Sequence, residues 1–206
     1  MGGTTATRTE RPEELRIFVE RFMHFMNLWT VYKDILSGHY VPSVGTVQKT
    51  SGDNADAKDW PVNISLMFIL YAYFYSLVED SDDGLNGFRV WREVWPKEEA
   101  AISAVESIVS PFVSRLRVFR NRLGFHGSRT RNHEAAGFDL FNQHTGDEIY
   151  NAMRLFKALG AALLGMDTAL YQNDAQGQAH CREWIDRVAN EARSRIVESG
   201  GQGTNP

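Results

Sequence analysis

Apolar residues return every three or four positions along most of this chain. Leu15, Phe18, Phe22, Phe25, Trp29, Tyr32 and Leu36 form the first such seam. It starts near Pro12, with Glu13 and Glu14 suited to the positive end of a helix dipole, and Ser37-Gly38 closes it. A second seam reads Ile102, Val105, Val109, Phe112, Leu116, Phe119, Leu123, and a third reads Ile149, Ala152, Phe156, Leu159, Leu163, Met166, Leu170. Such spacing keeps one face of a helix against a core. Gly160 and Gly165 lie close to the third face and allow another helix to approach it.

Val62 to Val78 is different, being almost continuously apolar: VNISLMFILYAYFYSLV. Its length is near the lower limit of a membrane span. Asn63, Ser65, Ser76, three tyrosine hydroxyls and the lack of a flanking basic cluster argue instead for a helix buried within a bundle or against a partner.

The remaining elements are shorter or less regular. Phe88 to Trp95 reads as a short helix or tight corner, with Trp91 and Trp95 as a satellite cluster. Pro96 opens the helix of the second seam. Pro111 either kinks this helix or starts another. The seam keeps its phase across it, which predicts one bent helix. Asn173 to Gln178 breaks the third seam, and His180 to Val197 forms a last amphipathic helix around Trp184, Ile185, Val188 and Ile196. Residues 38–59 and 124–146 read as long polar loops, and 1–10 and 199–206 as disordered tails. Ser81 to Gly87 is a turn cluster without the ligand spacing of a calcium loop. The expected fold is all-α: one domain over residues 11–198, an antiparallel four- to five-helix bundle with two long polar loops.

The 206 residues suffice for one substantial core, and a single cysteine, Cys181, excludes an internal disulfide framework and suits a reducing, cytoplasmic setting. Met1-Gly2 matches the start of a myristoylation site, but residues 1–9 read as a flexible tail without the apolar core of a signal peptide.

Charge changes the picture. The chain has a net charge of −4, yet Arg115, Arg117, Arg120, Arg122, Arg129 and Arg131 crowd a stretch with no Asp or Glu between Glu106 and Glu134. A local cationic surplus in an acidic protein attracts anions such as phosphates. On a helical wheel Arg120 falls about 40° from Leu116, inside the apolar arc, while Arg115, Arg117 and Arg122 fall roughly 100–120° away. An inward guanidinium needs an anion, a carboxylate or a wet cleft. Glu79 and Asp80 are candidate carboxylates. Gly124 weakens the helix, so His126 can either cap its end or swing back toward Arg120. A metal site from His126, His133, Glu134 and His144 matches no zinc spacing.

Arg120-Asn121 followed by His126, late in a small all-α domain, resembles the HEPN superfamily, whose motif is an Arg, commonly followed by a polar residue, and then a His. The resemblance implies a metal-independent endoribonuclease without cofactor. In it, catalytic Arg120 stabilises the phosphate, His126 transfers a proton and Asn121 orients one or the other. Arg117, Arg122, Arg129 and Arg131 hold the RNA backbone. It further implies a homodimer through the motif helix, acting in toxin–antitoxin or antiphage defence with an antitoxin or defence partner; the reading of Val62–Val78 as a buried helix separately predicts no membrane association. The alternative is a non-catalytic helical module that binds RNA, a nucleotide or a protein partner.

Overall fold

Phe18, Phe22 and Phe25 recur along one face of the first helix, and all three are fully buried. The computed structural model describes residues 13–36, 60–79, 85–118, 120 and 143–201. Among these the helices are α1 (Glu13–Leu36), α2 (Trp60–Val78), α3 (Gly87–Val94), α4 (Glu99–Val118), α5 (Gln143–Tyr171) and α6 (Ala175–Gly201). A 3-10 turn, Pro96–Glu98, leads into α4. The expected all-α bundle is present, as five long helices and the short α3.

Paired contacts give the helix directions. Along α1, Phe22 lies against Gly160, Phe25 against Phe156 and Trp29 against Tyr150, so α5 runs antiparallel to α1. Phe25 also stacks on Phe74, while Tyr32 reaches Met67, so α2 is antiparallel to α1 as well. α5 and α6 form a hairpin, with Arg154 paired to Glu191 and Gly165 beside Cys181.

The centre of the core is aromatic. Trp91 is completely buried, with its ring centroid 4.7 Å from that of Phe156, 5.5 Å from Phe88, 5.7 Å from Phe18 and 6.2 Å from Phe22. The expected satellite cluster is therefore corrected: Trp91 of α3 is the hub where α1, α3 and α5 meet. Its phase on a helix of only eight residues could not reveal this, because the ring's neighbours come from distant stretches. Asn86 starts α3 by accepting the Arg89 amide at 3.1 Å.

Other differences have local causes. α4 runs through Pro111 without interruption. Pro111 and Ser107, whose carbonyl loses its helical donor, both lie on the exposed side, where water can serve that carbonyl. α5 begins at Gln143, within the stretch expected to be loop, and α6 begins at Ala175 rather than His180. Asn173 takes a left-handed φ of 54°, and the Asp174 carboxylate accepts the Gly177 amide at 2.9 Å. These three residues thus end one helix and cap the next within a single tight turn. Leu170 is exposed at the end of α5, and Trp184 is 40% exposed, because Ile185, Val188, Ala189 and Ala192 carry the buried face of α6. Among the described residues no helix is long and apolar enough to cross a membrane. The expected tail at 199–206 is corrected in part, since α6 continues to Gly201; the rest of it, the expected loop at 38–59, most of that at 124–146 and the tail at 1–10 lie outside the described residues.

Gly160 sits where α1 and α3 press on α5. A Cβ there would stand 2.4 Å from Phe22 and 2.8 Å from Trp91, both fully buried rings. Overpacking costs about 1–3 kcal/mol, against a gain of about 1 kcal/mol in helix propensity. Gly160→Ala is therefore expected to lower the urea midpoint. Gly165→Ala meets only the Cys181 sulfur at 3.1 Å and is expected to leave the midpoint unchanged or raise it.

Ion pairs tie the outer helices together. Arg92 of α3 donates to Glu106 and, at 3.0 Å, to Glu99, both on α4; Arg154 and Arg195 donate to Glu191. The Ser103 hydroxyl and Arg92 hold Glu99 below its ordinary pKa. Burial alone would raise Glu191, but the two arginines outweigh it and lower it. This stabilisation is complete above the ordinary Glu value of about 4.3 and is lost as pH falls through the depressed folded values. Urea midpoints measured from neutral to acid pH should fall in that window, and Glu191→Gln should shrink the acid loss.

Candidate nucleic-acid interface

α2 ends at Val78, with Tyr75 in its last turn and Glu79 just past it. Phe74, Leu77 and Val78 are buried, which fixes the end of this helix in the core and leaves the Glu79 carboxylate at its rim. Tyr75 and Glu79 are four apart on one face, and the Tyr75 hydroxyl donates to Glu79 Oε1 at 3.1 Å. Across from them α4 ends at Val118, and Arg120 follows in a wider, π-type turn.

Arg120 reaches this rim. Its Nη1 donates to Glu79 Oε2 at 3.2 Å, and its guanidinium carbon lies 5.4 Å from the centroid of the Tyr75 ring. The Arg120 side chain is 43% exposed, that of Glu79 25%. The expectation of an inward Arg120 is corrected to a position at the rim. The wheel assumes 100° per residue, and Arg120 itself stands in a π-type turn, where that assumption does not hold. A long stem also lets the charged end leave the apolar face for water. Glu79, one of the two carboxylates expected to meet Arg120, is its partner. Tyr75 was missed. Its signal was the four-residue spacing from Glu79 on a helix that ends there.

Burial pushes the Tyr75 hydroxyl pKa up, and the Glu79 carboxylate adds to this by its charge and by accepting the hydrogen bond; Arg117 and Arg120 pull the other way. The phenol thus stays protonated and keeps donating to Glu79 at neutral pH. Arg117 is exposed on α4 and near enough to Tyr75 to act on it through its charge. Of the expected site residues, the structure brings Arg117 and Arg120 to the same end of α2. Asn121, Arg122, His126, Arg129 and Arg131 lie outside the described residues.

A cleft of about 410 Å³ lies on the same α2–α4 side, lined by Val78, Asn86, Phe88, Arg92, Glu106 and Val113 among others. Its main cation is already engaged. Arg92 is clamped by Glu106 and Glu99, and the Glu106 hydrogen bond, the largest influence, raises its pKa further. Arg89, which also lines this cleft, pairs with Glu14, so both of these cations already meet carboxylates. Burial, with the Asp174 charge, raises the pKa of Cys181, so its thiol is not the activated form a nucleophile needs.

The Arg120–Glu79 pair is partly open to solvent, and such pairs contribute about 0–1 kcal/mol. Arg120→Ala is therefore expected to change the unfolding free energy by no more than about 1 kcal/mol, read from urea denaturation. A larger loss would make the guanidinium a structural strut. Compared with protein-family models, curated proteins and solved structures, the chain finds no match.

Proposed function

We propose that this chain is a metal-independent endoribonuclease of the HEPN type, in which Arg120 holds the scissile phosphate and His126 moves a proton. The observation that carries this reading is the Arg120 guanidinium, presented at the bundle rim with 43% of its side chain open to solvent. An arginine that served the core alone would be sealed. This one can meet a phosphate oxygen with the donors that Glu79 does not use. Exposed Arg117 beside it adds charge that attracts the RNA backbone.

RNA supplies its own nucleophile. The 2′-oxygen bonds to phosphorus and the bond from phosphorus to the 5′-oxygen breaks, leaving a 2′,3′-cyclic phosphate and a 5′-hydroxyl. The 2′-hydroxyl loses a proton and the leaving oxygen gains one. An imidazole titrates near neutral pH and suits either transfer, so His126 takes that role. A guanidinium stabilises the charge that builds on the phosphoryl oxygens, which suits Arg120. Asn121 orients the reacting groups, while Arg122, Arg129 and Arg131 extend the hold on the backbone. Two copies meet through the motif helix, and a toxin–antitoxin or antiphage setting supplies the partner that restrains cutting.

The Glu79 pairing favours a second reading, because it offsets the charge of Arg120: a helical module that binds RNA, a nucleotide or a partner without cutting. One experiment separates the two. Purified protein is incubated with labelled RNA in EDTA, and the product ends are identified. Cutting to cyclic-phosphate ends is expected, with a loss of about 100-fold or more in His126→Ala while RNA binding persists. Unchanged cutting in that variant rejects the assignment, and binding without cutting leaves the second reading.

A further inference from the structure

Arg120 carries five N–H donors on a long, flexible stem, so nothing in its own chemistry fixes their direction. α2 supplies that direction. Glu79 Oε2 accepts from Nη1, the Tyr75 ring faces the guanidinium, and the Tyr75 hydroxyl holds the other Glu79 oxygen. The supports are better buried than what they support. Tyr75 is 2% exposed and the Glu79 side chain 25%, against 43% for Arg120. The contact is also made through one nitrogen. A carboxylate that neutralised the cation fully would take two parallel bonds. Among the described residues the other N–H groups of Arg120 are left without a partner.

We infer that Glu79 and Tyr75 are positioning residues: they seat Arg120 so that its unengaged N–H groups meet one phosphate of an RNA backbone. The inference rests on the ribonuclease reading above. It also carries a signature that other roles for Glu79 lack. The carboxylate stands beside the cation and so weakens the attraction for any phosphate. A seat therefore costs affinity and returns orientation. Removing it should tighten RNA binding and slow cutting together. A latch that keeps Arg120 from RNA would, when removed, raise both. A residue that merely supports the fold would, when removed, lower both through loss of folded protein.

The test measures two quantities on the full chain at low salt in EDTA: the cutting rate at saturating RNA, and the affinity for a 2′-O-methylated RNA that cannot be cut, followed by fluorescence anisotropy. Glu79→Ala is expected to bind about fivefold tighter, from removal of one neighbouring charge, and to cut about 100-fold more slowly, from the lost orientation. Glu79→Gln removes the same charge but keeps an acceptor oxygen, so it should bind tighter and recover most of the cutting rate. Tyr75→Phe keeps the ring and removes the hydroxyl that fixes Glu79, and is expected to slow cutting about tenfold. Circular dichroism reports the folded fraction of each variant. If Glu79→Ala fails to fold, the Gln and Phe variants carry the comparison.

The inference is overturned if Glu79→Ala cuts faster than wild type, if it matches wild type in both quantities, or if the Ala and Gln variants lose cutting equally. Wild-type protein that binds but does not cut removes the ribonuclease reading; the seat is then judged on affinity alone, where Glu79→Ala must tighten and Arg120→Ala must weaken binding. Wild-type protein that does neither removes both.

Discussion

The tilted pair Trp91 and Phe156, centroids 4.7 Å apart, is the contact on which the rest of the bundle depends. Phe18 and Phe22 of α1 and Phe88 of α3 close around Trp91, and Phe74 of α2 meets Phe156 edge-on at 5.3 Å. Four helices thus share one aromatic cluster. Rings of this size bury much apolar area, and tilted or edge-on contacts add to it. The cluster also sets a limit on the backbone. Gly160 is where α5 must lack a side chain so that Phe22 and Trp91 can approach.

This core decides where the rim that carries Arg120 lies. α2 is held through Phe74, Leu77 and Val78, all buried. Its last turn is packed through these three side chains, which places Tyr75 and Glu79 at the edge of the bundle. α4 is fixed in turn by Val105, Val109, Phe112 and Leu116. Arg120, just past the end of α4, therefore meets a fixed carboxylate and a fixed ring while keeping an open side. The arrangement is asymmetric in a useful way: the anion is anchored twice and the cation has freedom left over. On the same α2–α4 side, Arg92 shows the opposite treatment, with two carboxylates and a hydroxyl taking up its donors. Among the described residues, Arg92 thus has its donors taken up by three side chains, and Arg120 by Glu79 alone.

Much of the architecture was legible in the chain. Leu15, Phe18, Phe22, Phe25 and Trp29 carry their helix in their spacing, and all are buried. Glu79 was recognisable, together with Asp80, as a candidate partner for Arg120, since the two carboxylates follow a long apolar run. The errors fall where a local rule met a non-local fact. Trp91 looked peripheral on a short helix and is central, because its neighbours arrive from α1 and α5. Asn173 and Asp174 looked like a broken stretch and form a cap on each side of a tight turn. Trp184 looked like a core residue and lies 40% exposed, because smaller side chains one position away pack more closely between helices.

The sequence by itself determined that this protein is helical and where most of its helices lie, because three- and four-residue periodicity is a local consequence of 3.6 residues per turn. It also determined that a cationic stretch follows the second seam. Only the tertiary structure decided what the Arg120 guanidinium meets. That depends on which side chains at the end of α2 stand opposite the end of α4. Pairing across helices is set by packing of the whole core, and no window of neighbouring residues contains that information.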